Sequence, residues 1–205
     1  YHVYSIAVSS DGKMLAAGGL AYGDATKNYI ELYDLNNIKA APKKISGFAY
    51  DIDNVHFTPD NKGLYARDNS GHSIKFSDLN TAREVINTKE KLHNIDVNEN
   101  ASLIAGAGDD GNLYIWDVKN NYSEKVLYTN PYKHRKTSKV IVFAAVAFTH
   151  DKKIVVGDVN GLVRIIDLNN PAIIRPLSGH TSGIEQIVFN HSGTFMATAS
   201  DDKSV

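Results

Sequence analysis

Apolar and polar positions along the chain follow a block that recurs five times. Each copy has an apolar run ending in Val or Phe, a polar turn and a second apolar run, and most copies add a third run closing on Asp. The first runs end 40 to 51 residues apart, at Val8, Phe57, Val97, Phe148 and Phe189. Short β-type runs with a period near 40 predict a repeat architecture, in which each unit buries its apolar side against a neighbouring unit.

The runs within each copy are too short for helices, and turn-forming residues separate them. In the third copy, Asp110-Gly111 supplies the positive φ angles that a tight hairpin needs. The fourth run of each copy is more polar than the others. We therefore expect four-stranded sheets with a continuous apolar inner strand and a polar outer strand.

The bulk properties of the 205 residues argue against several functions. No apolar stretch approaches the roughly 20 residues that span a bilayer. A net charge of -1 gives no bulk attraction to nucleic acid or to an anionic membrane, so we expect neither as a partner. The absence of cysteine excludes disulfides and leaves the compartment open, with the cytoplasm favoured.

Two motifs resemble the blades of WD-repeat β-propellers. One is the run from Gly179-His180 to Ser200 and Asp202, and the other is LYIWD, which ends at Asp117. The resemblance implies an all-β propeller of about four and a half four-stranded antiparallel blades. We expect these blades near residues 1–48, 49–88, 89–130 and 131–179, with a partial blade at 180–205.

Propellers of this family usually close a ring of seven blades, so the resemblance implies a piece of a larger ring. Open sheet edges invite aggregation. We therefore expect the remaining blades to come from the rest of the same polypeptide, with ring completion between chains as the alternative.

In this family a His, a Ser or Thr, an Asp and a Trp form a hydrogen-bonded network that braces each blade. The matching residues here are His180, Ser200 and Asp202 in the last copy, and Asp110 and Trp116 in the third. The third copy has Thr88 and Gly108 where the His and the Ser would stand. We expect most blades to depend on packing and main-chain ladders instead.

The sequence contains no catalytic or metal-binding spacing that we can assign. His180, Ser200 and Asp202 are the residue types of a hydrolytic triad, but the family uses this trio structurally, so we assign no catalytic residue. The acidic turns at 109–110 and 201–202 lack the spacing of a calcium loop, and the His residues are not paired as metal ligands. We expect no metal and no cofactor.

Two segments are candidate binding loops. YKHRKTSK (132–139) offers Lys133, Arg135 and Lys136 for a phosphate or an acidic partner, with Tyr132 available for stacking. The alternative is a solvated linker. LAYGDATKN (20–28) enlarges a turn and is either a specificity loop or a lid without a partner.

A third candidate surface comes from aligning the five copies on the ends of their first runs. This alignment places one residue of each copy just past the start of the inner strand: Tyr4, Asp53, His93, Ala144 and Glu185. Three neighbouring positions should share the same rim: Tyr50, Asp51 and Lys91. The mixture is typical of a polar recognition surface rather than an apolar pocket. The alternative is a set of solvated strand ends.

The resemblance implies a non-catalytic platform for protein interactions, forming one module of a larger protein. Its partner would be a peptide or another protein domain. The alternatives are a propeller-type hydrolase and a regulatory domain attached to an enzyme. The Ser-x-Asp-x-Gly-x-Thr-Trp turns of sialidase-type propellers do not occur in the sequence.

Overall fold

The computed structural model describes residues 2–20, 28–133, 138–190 and 192–205. Within these ranges it contains eighteen β-strands and no helix. A helix that could cross a membrane is therefore absent from the described residues. Most of the predicted loop at 20–28 lies outside the described residues. Arg135 and Lys136 of the basic segment also lie outside them.

The described strands form four sheets of four antiparallel strands and one sheet of two. The first contains β1 (His2–Val8), β2 (Met14–Leu20), β3 (Asn28–Asp34) and β4 (Lys43–Phe48). The second contains β5 (Ile52–Phe57), β6 (Leu64–Asp68), β7 (Ser73–Ser77) and β8 (Ala82–Asn87). The third contains β9 (Leu92–Val97), β10 (Leu103–Gly108), β11 (Asn112–Asp117) and β12 (Ser123–Thr129). The fourth contains β13 (Phe143–Phe148), β14 (Lys153–Asp158), β15 (Val163–Asp167) and β16 (Ile174–Leu177). The fifth contains β17 (Ile184–Phe189) and β18 (Met196–Ser200).

Each four-stranded sheet pairs its strands in chain order, which confirms the predicted all-β fold built from propeller-type blades. The chain divides into two compact units. The first runs to Lys89, includes Glu99–Ala101, and holds the first two sheets. The second comprises Glu90–Asn98 and Ser102–Val205, and holds the other three.

The core of each unit lies between successive sheets. In the first unit, Ile30 and Ile45 of the first sheet are fully buried in one cluster with Ile52 and Leu64 of the second. The second unit has two such layers. One joins the third and fourth sheets, and the other joins the fourth and fifth. Each sheet therefore depends on a neighbour to bury its apolar side, as the repeat predicts.

The burial of individual strands differs from the sequence-based expectation. The continuously buried strand is the second of each complete sheet; in β6 all five residues are buried. The innermost strands β5 and β9 bury only every third residue. Strand order alone does not explain this difference, because the innermost strand β13 is buried at five of its six positions while β7, which is paired on both edges, is only partly buried.

Candidate functional site: the bulged inner strands and their rim

The innermost strand of every described sheet carries a β-bulge at the same repeat position. The pairing of β1 with β2 skips Tyr4, and that of β5 with β6 skips Asp53. The equivalent breaks in β9, β13 and β17 fall at His93, Ala144 and Glu185. These five residues, here called the bulge column, are the ones that the sequence alignment placed together. A bulge leaves one residue out of the ladder and turns its side chain away from the regular pleat.

A repeated main-chain bond fixes the backbone next to the bulge column. The residue after the second strand donates its N–H to a carbonyl just before or at the start of the innermost strand. In the first unit this bond joins Asn69 to Asp51 at 2.7 Å. In the second unit it joins Asp109 to Lys91, Val159 to Val142, and Asp201 to Gly183, at 2.8 to 3.2 Å. The rim is therefore held by ordered backbone rather than by frayed strand ends.

In the first unit the rim combines exposed aromatic residues with acids. Tyr4 and Tyr50 are about half exposed, and Asp51 is partly exposed. Asp53 lies 2.8 Å from Nη2 of the buried Arg67. Burial raises the pKa of Asp53 and lowers that of Arg67, and their ion pair opposes both shifts. The pair holds Asp53 in place and reduces its charge towards a ligand.

In the second unit the rim is mixed in charge. His93 Nε2 lies 2.9 Å from Asp109 Oδ1, so the bulged imidazole is held against the adjacent turn. Lys91 is partly exposed, Ala144 contributes no polar group, and Glu185 is exposed. The rim residues that the sequence analysis named, here called the rim set, are Tyr4, Tyr50, Asp51 and Asp53 in the first unit and Lys91, His93 and Glu185 in the second.

The structure gives His180 three side-chain partners, one of which is the hydroxyl of Ser204 at 3.2 Å from Nδ1. The same Nδ1 lies 3.0 Å from Asp202 Oδ2, and Nε2 lies 2.8 Å from Thr198 Oγ1. Ser200 bonds elsewhere in the same network, since it donates to Ser182 O at 3.0 Å and accepts from the N–H of Asp202 at 3.1 Å. Thr198 and Ser200 are two residues apart in β18, so their side chains lie on the same face of the strand. A hydrogen bond from Ser204 is the largest cause that holds the pKa of Asp202 below its usual range.

Asp110 and Trp116, the network residues named for the third copy, bond to different partners. The indole of Trp116 donates to Glu124 Oε2 at 3.1 Å, while Asp110 accepts from Tyr114 and Asn112, both at 2.6 Å. Trp116 is buried and stacks on Tyr114 with ring centroids 5.7 Å apart. The indole lies over Gly106, where a Cβ atom would come within 2.7 Å of its ring. With Thr88 at the position of the network His, the aromatic pair and the turn acid form a different brace.

Three equivalent residues on the third strands were missed by sequence analysis. Lys75, Tyr114 and Arg164 pair with Ala66, Gly106 and Val156 at the same register. Each reaches an acid at the end of the second strand or in the turn that follows it. Lys75 lies 4.0 Å from Asp68, Tyr114 donates to Asp110 at 2.6 Å, and Arg164 Nη1 lies 2.8 Å from Asp158. The complete sheets other than the first therefore have a polar brace, in addition to packing and main-chain ladders.

A signal for these braces was present in the sequence. Each is a polar or charged residue within an otherwise apolar third run, as in SIKFS and VRIID. A buried cation inside such a run requires a carboxylate partner nearby, and the preceding turn supplies one. The signal was overlooked because the family network directs attention to His and Trp.

Comparisons with known proteins were made for sequence and for structure. The WD40 family (WD domain, G-beta repeat) matches residues 87–117 and 172–205. The chain is 23% identical over 162 residues to "Histone-binding protein MSI1" of Saccharomyces cerevisiae, covering 75% of this chain and 37% of that protein. It is also 23% identical over 178 residues to "Protein HIR1" of Gibberella zeae, covering 76% of this chain and 17% of that protein.

Among solved structures, the β-propeller domain of Cps50 (Swd1) from Myceliophteria thermophila superposes with a TM-score of 0.78. The match covers 97% of this chain and 64% of that one, at 15% identity. At this identity the similarity concerns the fold. The chain spans less than two fifths of the length of the two sequence relatives.

Proposed function

Because this chain is built from blades of the WD-repeat β-propeller type, we propose that it is a non-catalytic platform that docks a protein partner on the rim set. The observation that carries the proposal is the bulge column. Five bulges at one repeat position are a repeated feature, and bulges in folded proteins commonly redirect side chains beside functional sites. Ordered backbone and exposed aromatic residues on the rim also favour recognition.

The contacts of His180 support the non-catalytic part of the proposal. A general base needs a ring nitrogen directed at the reacting group. Both ring nitrogens of His180 are engaged, one by Asp202 and the other by Thr198, so the trio serves as a brace. The groove of about 330 Å³ beside it is lined by His180 itself, by Leu177 and Met196, and by Thr198 and Ser204.

The partner class follows from one relative and from the charge of the rim. The name of the yeast relative states that it binds histones, which are basic proteins. Because Asp53 is paired with Arg67, the rim set offers the carboxylate of Asp51 in the first unit, and that of Glu185 together with Lys91 in the second. Such exposed carboxylates attract a basic segment and speed its association. Histones are therefore the partner that we propose to test first, and they give no support to the cytoplasmic location that we expected.

The test compares two triple variants of the chain for binding to purified core histones by biolayer interferometry. The rim variant combines Tyr50→Ala, Asp51→Ala and Glu185→Ala, all at partly or fully exposed positions. The control combines Glu84→Ala, Glu99→Ala and Ile173→Ala, which removes two acids and one exposed apolar side chain elsewhere. We expect the rim variant to lose about tenfold or more in affinity, as loss of interface anchors does, and the control to bind like the parent.

Equal binding by the parent and the rim variant would contradict the rim as the docking surface. Failure of the parent to bind histones, together with turnover of an ester or glycoside substrate that His180→Ala abolishes, would replace the platform with the hydrolase alternative.

A further inference from the structure

The basic segment between β12 and β13 begins and ends in an ordered stem. Lys133 and Val140 form an antiparallel bridge, and the N–H of Ile141 donates to the carbonyl of Tyr132 at 3.1 Å. The stem rests on the turn at Gly111, where a Cβ atom would come within 2.3 Å of Val140. Residues 134–137 between its two limbs lie outside the described residues. The linker alternative does not predict such a closed stem.

One buried side chain ties both limbs of the stem together. Asn130 is 3% exposed. Its Nδ2 donates to the carbonyl of Ile141 at 3.0 Å, and its Oδ1 accepts from the N–H of Tyr132 at 3.1 Å. A buried amide that bonds to main chain on both sides fixes the local backbone, because breaking either bond leaves a polar group unsatisfied.

The stem presents Tyr132 on a rigid base. The side chain of Arg164 is 2% exposed and lies 2.8 Å from Asp158, and its Cζ is 5.2 Å from the ring centroid of Tyr132. The guanidinium Nη2 also reaches Asn130 Oδ1 at 3.4 Å. Tyr132 nevertheless remains 55% exposed. An exposed tyrosine that is already ordered loses little entropy when a partner covers it, and this is typical of interface anchors.

The stem itself carries lysines and no carboxylate. The turn on which it rests contains two acids that are already engaged, since Asp109 lies against His93 and Asp110 accepts from Tyr114. Lys133 and Lys139 are exposed on the two limbs, and no Asp or Glu occurs between Glu124 and Asp151 in the sequence. Asp158 is buried and neutralised by Arg164. The stem residues are therefore basic and suit an acidic segment of a partner.

We propose that Tyr132, Lys133 and Lys139 form a docking surface for an acidic protein segment that carries an aromatic side chain. The proposal rests on the proposed function and assigns the platform a second contact, which is basic. The acidic segment stacks its aromatic side chain on the exposed part of Tyr132 and places carboxylates beside the two lysines. A protein segment fits better than nucleic acid, because the whole chain has a net charge of -1 and no extended positive stripe is needed.

The test measures fluorescence anisotropy of a labelled probe peptide, (Gly-Glu-Glu)₂-Trp-(Glu-Glu-Gly)₂, titrated with the full chain at several salt concentrations. Binding should weaken as salt rises. Tyr132→Ala, and separately Lys133→Glu with Lys139→Glu, should each weaken binding about tenfold, as loss of an interface anchor does. Tyr132→Phe keeps the ring and should bind nearly like the parent.

The matched controls are Tyr50→Ala, at a tyrosine that is 56% exposed but lacks this stem, and Lys39→Glu with Lys125→Glu at exposed positions elsewhere. Neither should change probe binding. Binding that all variants share would overturn the proposal, and so would tighter, Tyr132-dependent binding of a twelve-residue oligothymidylate, which would indicate a nucleic-acid surface. Histone binding by the same variants is recorded in parallel. Retained histone binding alongside lost probe binding shows that the two proposals succeed or fail separately.

Discussion

The third and fourth sheets place different chemistry at one structural position. On the third strand of the third sheet, Tyr114 stacks on Trp116 and gives its hydroxyl to Asp110. At the same register in the fourth sheet, Arg164 forms an ion pair with Asp158, and both side chains are 2% exposed or less. The repeat therefore determines the position of the brace and of its acid. The residue that donates to the acid differs between the two sheets.

The two braces differ in how much stability is lost when one side chain of the pair is removed. A neutral hydroxyl that bonds to a partly solvated carboxylate can be replaced by water at modest cost. A buried ion pair has already lost its hydration, so deleting one charge leaves the other without compensation. We therefore expect the fourth sheet to be the more sensitive of the two, although its pair need not contribute more to stability than packed apolar residues would.

Arg164→Met should have the largest effect. It leaves the carboxylate of Asp158 buried without its cation, and such losses cost about 3–5 kcal/mol in the free energy of unfolding. Urea denaturation followed by fluorescence of Trp116, the one tryptophan of the chain, measures the change in the second unit.

Two further variants separate the ion-pair explanation from simple loss of packing. Arg164→Met combined with Asp158→Asn should recover much of the loss, because the amide keeps an acceptor for the N–H groups of Asn160 and Leu162. Lys75→Met in the second sheet should cost less, since its pair is 4.0 Å long and the lysine is more exposed. If the double variant is as unstable as Arg164→Met, the charge argument is wrong.

Gly106→Ala should have an intermediate effect in the third sheet. The new methyl group would meet the ring of Trp116 at 2.7 Å, and overpacking of this kind costs about 1–3 kcal/mol. Circular dichroism during thermal unfolding measures the loss. Combination with Trp116→Leu, which removes the opposing ring, should make the glycine substitution nearly neutral. An equal cost of Gly106→Ala in both backgrounds would show that the close approach is unimportant.

The periodic signals in the sequence were sufficient to predict the sheets. The positions of Val8, Phe57 and Phe148 define the repeat, and each ends an innermost strand. The bulge column was also found by alignment, because equivalent positions in a repeat share their backbone. The bulge itself could not be predicted, since a one-residue break in pairing depends on the register of two strands and leaves no residue signature.

The braces were predicted less well because they depend on three-dimensional distances within a strand. Thr198 and Ser200 point to the same face, and sequence spacing alone does not decide which hydroxyl meets His180. Arg164 was missed because a charged residue in an apolar strand is normally read as exposed. Its carboxylate partner lies six residues earlier, across a turn that brings the two together. The stem at Tyr132 had no sequence signal, because its anchor Asn130 directly follows the polar outer strand β12.

Tyr114→Phe should have the smallest effect and reports on the neutral brace directly. It removes the bond to Asp110 while keeping the stack on Trp116, and a loss of about 1–2 kcal/mol in the free energy of unfolding is expected.

Burial, with the bond to Asp110 as the next cause, raises the pKa of Tyr114 from 10.0 to about 12. Because the protonated form is favoured in the folded state, its contribution is complete below pH 10 and is lost as the pH rises towards 12. The stability difference between the parent and Tyr114→Phe should therefore shrink across this range, as measured by urea denaturation at a series of pH values. The same alkaline series on Arg164→Met and its parent should show no comparable convergence, and convergence in both pairs would mean that general alkaline unfolding, rather than Tyr114, causes the loss.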